Sequence, residues 1–129
     1  MPIRVGFDIV SVAAIEDELR STTRDRYLTR IFTEAEVAAC TTDAGVSAER
    51  LATRFAAKEA TLKVLPASDI GLSFREIEIG QLASGGVELL LHGAAAERAR
   101  SAGIVELSVS LSHDAGMAGA VVVAEIRRA

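Results

Sequence analysis

The chain contains a single cysteine, Cys40, which removes an internal disulfide and any site built from several thiolates. A lone thiol, expected to be partly buried, suits a reducing compartment. Tryptophan is missing and aromatic residues make up only 4% of the chain, which leaves little surface for nucleobases to stack on. Positive charge is not in surplus either. Against 14 Lys and Arg stand 18 Asp and Glu, and a formal net charge of −4 lacks the basic footprint of a nucleic-acid binder. No apolar run approaches the ~20 residues needed to cross a bilayer. Met1-Pro2-Ile3-Arg4 leads to Asp8 rather than into the apolar core of a signal peptide. A glycine-rich Walker loop, the mark of many nucleotide hydrolases, is also missing. The expectation is a cytoplasmic protein with neither a membrane nor a nucleic-acid partner.

What is present suffices for one domain spanning 1–129, since half of its 129 residues are apolar. Ile3 to Val10 reads as a buried strand carried by Ile3, Val5, Phe7 and Ile9, and Ser11 is placed to cap a helix through Leu19. Arg24 to Ile31 is suited to a further helical turn or two. Thr33-Glu34-Ala35-Glu36 fits a capping box for a short helix to about Cys40, and Thr41 to Val46 reads as a loop. Ser47 caps a long helix that Pro66 stops. After a linker at 67–71, Phe74 to Ile79 alternates as a strand, and Ser84-Gly85-Gly86 turns the chain into Val87 to His92. A helix from about Ala94 to Ser101 precedes strands at Val105 to Ser112 and Gly119 to Ile126. Helices early and mostly antiparallel strands late give an α+β fold, a long helix on a largely antiparallel sheet.

The most informative segment is Arg54-Phe55-Ala56-Ala57-Lys58-Glu59-Ala60-Thr61-Leu62-Lys63. On a helix, Leu51, Phe55, Leu62 and Leu65 share an arc, and Glu59 lies roughly 40° from Phe55. Glu59 therefore borders the buried face. Lys63 projects from the same side one turn later, where an ordinary Glu-to-Lys helix pair is the plain alternative to a functional site. Lys58 falls near the centre of the apolar arc, a place for ammonium only if its stem is buried and its head finds a partner.

Two more segments complete the pattern. In Gly6-Phe7-Asp8-Ile9-Val10 an aspartate interrupts a strand, which is a poor place for that residue. In Ser108-Val109-Ser110-Leu111-Ser112-His113-Asp114 an alternating strand runs into a His-Asp pair before the Ala115-Gly116 turn. The three segments, in this order and spacing, resemble the motifs of the holo-acyl-carrier-protein synthases, the small single-domain 4′-phosphopantetheinyl transferases. The likeness runs from about Ile3 to Glu125.

The resemblance implies a homotrimer with active sites between subunits. It also implies transfer of 4′-phosphopantetheine from coenzyme A to a serine of an apo acyl carrier protein, with release of adenosine 3′,5′-bisphosphate, in fatty-acid or polyketide biosynthesis. Such phosphoryl-type transfer needs developing negative charge neutralised, which suits Mg²⁺ with oxygen ligands. Asp8 and Glu59 are the metal ligands so implied, and two carboxylates are enough because Mg²⁺ keeps waters and phosphate oxygens. Lys63 is expected at the diphosphate, Arg54 and His113 at coenzyme A phosphates, and Asp114 as base or water-orienting group. The alternative is a non-catalytic coenzyme A-binding partner of a biosynthetic complex, which would be expected to have lost at least one of Asp8, Glu59, Lys63 and His113. The chain departs from the family at Ala14, where an arginine commonly grips the acidic carrier. Arg20, Arg24, Arg26 and Arg30 stand near enough to substitute. Thr53 and Met117 replace a frequent glycine and a frequent aromatic.

Overall fold

The computed structural model describes residues 2–66 and 71–127. Its elements run β1 (Ile3–Ser11), α1 (Val12–Arg20), α2 (Arg24–Ile31), α3 (Glu34–Ala39), β2 (Thr41–Thr42), β3 (Gly45–Val46), α4 (Ala48–Leu62), β4 (Ile77–Gln81), β5 (Val87–Leu91), α5 (Gly93–Ser101), β6 (Ile104–Asp114) and β7 (Met117–Ile126). The α+β expectation holds, with local differences. The loop expected at Thr41 to Val46 closes as the small antiparallel pair β2–β3. The start of the strand expected from Phe74 is a 3-10 turn over Phe74–Glu76, because Ser73 and Glu76 form a capping box there. His113 and Asp114 belong to β6 itself, and the turn is confined to Ala115 and Gly116, both at positive φ. Cys40 is fully rather than partly buried. Most of the expected linker lies outside the described residues.

Caps set the helix ends as the sequence implies. Thr33 accepts from the Glu36 amide while Glu36 reaches back to the Thr33 amide, and Ser47 accepts from the Arg50 amide to start α4. Each such cap is worth about 1 kcal/mol. Ser11 occupies the cap position of α1 but makes no side-chain bond there.

The main sheet has strand order β1-β7-β6, all antiparallel, and α4 lies across it, with β4–β5 as a separate ribbon. Register fixes the faces: Gly6, Asp8 and Val10 oppose Val122, Ala120 and Ala118, which in turn oppose Val109, Leu111 and His113. Ala120, Val122 and Ala124 are buried with α4's Ala56, Ala57 and Ala60 in one cluster, and Ala118 is buried with Leu51 and Ala52 of the same helix in another. This corrects the strand reading. Ile3, Val5, Phe7 and Ile9 form the opposite face and remain 62%, 59%, 54% and 53% exposed. A strand with apolar alternate residues has an obvious apolar face, but period two does not say which neighbour covers it. Gly6 decides the matter. A Cβ there would stand 2.1 Å from the Ala60 carbonyl oxygen, so only glycine lets β1 come this close to the helix.

Lys58 finds the partner its position demands. Its Nζ donates to Glu36 Oε1 at 2.8 Å, the Phe74 carbonyl at 2.9 Å and the Ile77 carbonyl at 2.6 Å. All three ammonium protons are thus used. The other Glu36 oxygen accepts from the Ile79 amide at 2.8 Å, so this fully buried pair ties α3, α4 and β4 together. Burial pulls the Lys58 ammonium below its ordinary range, and Glu36 opposes that pull.

Candidate active site

Close packing of Gly6 against Ala60 brings Asp8, the next inward residue of β1, beside Glu59 and Lys63 of α4. Lys63 Nζ donates to the Phe7 carbonyl at 2.6 Å and to Asp8 Oδ1 at 3.2 Å. The plain intrahelical pair is therefore replaced by a bridge from helix to strand. Glu59 is half-buried and, among the described residues, accepts no hydrogen bond. Burial first, then the Asp8 carboxylate, pushes the Glu59 carboxyl above its ordinary value of 4.5, while Lys63 pulls it down. Two carboxylates and one ammonium leave this cluster with one negative charge in excess. Such a pair of oxygen donors, held on rigid elements and short of positive charge, fits a hard divalent cation. Among the described residues there is no larger acidic, histidine or cysteine cluster suited to a metal.

Arg54, about one and a half turns earlier on α4, points elsewhere. It is only 9% exposed and lines an open cleft of about 480 Å³ with Gln81, Gly85, Gly86, Ser110 and Leu111. Its Nη2 donates to Gln81 Oε1 at 2.9 Å. Gln81 was not singled out from the sequence. No local signal links a glutamine at the end of β4 to a helix residue 27 positions away.

His113 and Asp114 lie apart from the carboxylate pair within one chain. His113 is two strands over and two residues along from Asp8, roughly 12 Å between Cα atoms at ordinary strand spacings. Its Nδ1 stands 3.3 Å from Glu49 Oε2, in the first turn of α4, and both side chains are about half exposed. Glu49 precedes Glu59 by ten residues, about 15 Å along the helix axis. Asp114 is exposed beside the hairpin turn opposite Met117, and its side chain makes no hydrogen bond among the described residues. One chain thus unites Asp8, Glu59 and Lys63, and leaves Arg54, His113 and Asp114 along the far part of α4 and the β6 edge.

Residues 4–118 match the 4′-phosphopantetheinyl transferase superfamily. The chain belongs to the holo-acyl-carrier-protein synthase family. A holo-[acyl-carrier-protein] synthase of Moorella thermoacetica is 40% identical over 126 residues, covering 95% of this chain and 94% of that protein. Among solved structures, the Chronobacterium ammoniagenes ACPS-CoA complex superposes with a TM-score of 0.86 at 31% identity, covering 99% of this chain and all of that one. The Helicobacter pylori holo-[acyl-carrier-protein] synthase in complex with coenzyme A gives 0.80 at 35% identity, covering 95% and 100%. The synthase fold therefore accounts for the whole described architecture. No helix among the described residues is long and apolar enough to cross a membrane.

Proposed function

We propose that residues 1–129 form one cytoplasmic transferase domain that moves 4′-phosphopantetheine from coenzyme A to the serine hydroxyl of an apo acyl carrier protein, serving fatty-acid or polyketide biosynthesis. The serine oxygen forms a bond to the pantetheine-bearing phosphorus, the bond from that phosphorus to the bridging diphosphate oxygen breaks, and adenosine 3′,5′-bisphosphate leaves. The observation that carries this reading is the convergence of Asp8, Glu59 and Lys63 on one site with surplus negative charge. Asp8 and Glu59 would hold Mg²⁺, which when bound neutralises charge on the diphosphate. Lys63, anchored by the Phe7 carbonyl, keeps an ammonium beside that position, where it can meet the departing phosphate. Arg54 and His113 provide cationic or donor groups for coenzyme A phosphates, and Asp114, exposed near His113, orients water or accepts the serine proton.

Separation of the two groups within one chain supports a site shared between subunits. The outer face of β1, Ile3, Val5, Phe7 and Ile9, with Met117 at 42% exposure, is a contiguous apolar strip of the kind that marks an interface. A homotrimer built on it would set the His113 edge of one protomer near the Asp8 and Glu59 of the next. For the carrier, Arg20 is tied to Asp17 and Arg24 to the Leu19 carbonyl, whereas Arg26 and Arg30 make no ion pair among the described residues. Arg24, Arg26 and Arg30 thus keep an uncompensated positive charge, and a modest rise in carrier KM on their removal is the corresponding expectation.

Mass spectrometry of apo carrier incubated with coenzyme A and Mg²⁺ tests the reaction, because transfer adds one phosphopantetheine group. An unmodified carrier overturns it. Mixing an Asp8→Asn with a His113→Ala preparation tests the sharing: restored activity supports it, and a fully active monomer in sedimentation refutes it.

A further inference from the structure

Arg54 is nine-tenths buried, yet no anionic group among the described residues meets it. Its Nη2 donates to Gln81 Oε1 at 2.9 Å, Nη1 to Thr53 Oγ1 at 3.3 Å and to the Arg50 carbonyl at 3.5 Å, and the buried Nε has no partner among the described residues. Every acceptor is neutral. No carboxylate among the described residues pairs with this guanidinium, in contrast to Lys58 one turn away. Removing a cation from water without a counter-charge is costly, so a fold that holds it this way keeps it ready for an anion from outside. The cleft it lines is walled by the β4–β5 turn at Gly85 and Gly86 and by Ser110 and Leu111 of β6.

We infer that Gln81 is a positioning residue for Arg54 and sets how much charge Arg54 presents to a phosphate of coenzyme A. Its amide does two things that a carboxylate could not do together. Oε1 fixes one arm of the planar fork, and Nε2, 3.5 Å from the Gly85 carbonyl, leans on the turn that walls the cleft. Being neutral, the amide leaves the full positive charge to the ligand. A glutamate of the same shape would accept the same hydrogen bond but cancel the charge, and an apolar residue would keep the charge but release the fork. The inference rests on the reading of Arg54 as a phosphate contact.

The test compares Gln81→Glu, Gln81→Leu and Arg54→Ala in the full-length protein as it assembles. Calorimetry measures binding of adenosine 3′,5′-bisphosphate, steady-state kinetics give KM for coenzyme A and kcat, and thermal denaturation reports the fold. Gln81→Glu should keep or raise Tm, because it supplies the buried cation with a partner, while weakening bisphosphate binding on the order of tenfold. KM should rise by more than kcat falls. Gln81→Leu should also weaken binding, but without the gain in Tm. That opposition of stability and affinity is what a merely structural glutamine would not produce. Wild-type affinity in Gln81→Glu, or lower affinity together with a lower Tm, overturns the inference. If Arg54→Ala weakens binding while Gln81→Glu does not, only Gln81 loses its role. If Arg54→Ala is silent too, the reading of Arg54 fails with it. Wild-type protein that leaves apo carrier unmodified is a separate failure, that of the transferase reading.

Discussion

Lys58 and Lys63 stand five residues apart on one helix and face opposite circumstances. Lys58 is wholly buried, opposes a single buried carboxylate and has a fixed acceptor for each ammonium proton. Lys63 is half exposed and faces two carboxylates, one of which, Glu59, accepts no hydrogen bond among the described residues. The first constellation is closed: charge and hydrogen bonds balance, and nothing remains for a ligand to do. The second is open, with one negative charge in excess and a carboxyl pushed toward its protonated form. The same residue types on the same helix thus serve as a brace in one place and as a receptor in the other. What separates them is the number of partners that the surrounding elements deliver.

Breaking the closed pair should have the largest effect. Lys58→Met strands Glu36 in the interior, and loss of one partner of a buried pair costs about 3–5 kcal/mol, read from chemical denaturation. Replacing both partners, Lys58→Met with Glu36→Gln, should recover part of that loss. A single variant within ~0.5 kcal/mol of wild type would remove the distinction between the two lysines.

Breaking the open cluster should damage activity instead of stability. Loss of even an outer-shell partner of a metal typically costs 10–100-fold, so Glu59→Gln and Asp8→Asn should each lower transfer by at least about 100-fold. Excess Mg²⁺ should restore only part of it. Glu59→Gln should also melt no lower than wild type, since it removes a charge that burial and Asp8 disfavour. Unaltered turnover at limiting metal would take that residue out of the site.

Acid titration sharpens the contrast, because two carboxyls shift in opposite directions. Glu59 lies above its ordinary 4.5 and therefore holds a proton more tightly folded than unfolded. Its charged form lowers stability above the folded value, and that cost disappears as pH falls through it. Glu78 is held below 4.5, first by the Thr33 hydroxyl at 2.6 Å and then by His92, against the opposing effect of burial. Its stabilisation is present above 4.5 and is lost as pH falls through its folded value. Carbon-detected NMR of both carboxyls should find Glu59 above and Glu78 below 4.5, with Glu59 moving down in Asp8→Asn. The Mg²⁺ needed for half-maximal transfer should rise as pH drops toward the Glu59 value, since proton and cation compete. A Glu59 value indifferent to Asp8→Asn would mean the two carboxyls do not share a site.

Lys63→Ala should be the mildest for the fold, because exposed ion pairs contribute about 0–1 kcal/mol. Single-turnover kinetics should nonetheless show the chemical step slowed more than coenzyme A binding is weakened. The reverse pattern would make Lys63 an anchor for the ground state.

Features governed by near neighbours in the chain were legible in advance. The Thr33 capping box, the Ser47 cap, the end of α4 before Pro66 and the placement of Glu59 at the border of the helix's buried face all follow from contacts within a turn or two. Asp8 stood out because it interrupts a strand, and its motif placed it with Glu59 and Lys63. Long-range partners were not legible. Glu36 was recognisable as a capping residue, but nothing in the chain announces that its Oε1 also receives Lys58 from 22 residues away. Gln81 beside Arg54 and Glu49 beside His113 carried no local signal at all.

The sequence by itself determined the elements, their caps and the set of reactive side chains, because helix and strand periodicity and turn chemistry act over a few residues. Tertiary structure alone decided which face of β1 meets α4, that Lys63 bridges to Asp8 rather than to Glu59, that Lys58 is neutralised and that Arg54 is not. The reason is visible at Gly6. An alternating strand offers two faces, and the choice fell to the one where a missing Cβ let a helix carbonyl approach, a property of the packed pair rather than of either segment.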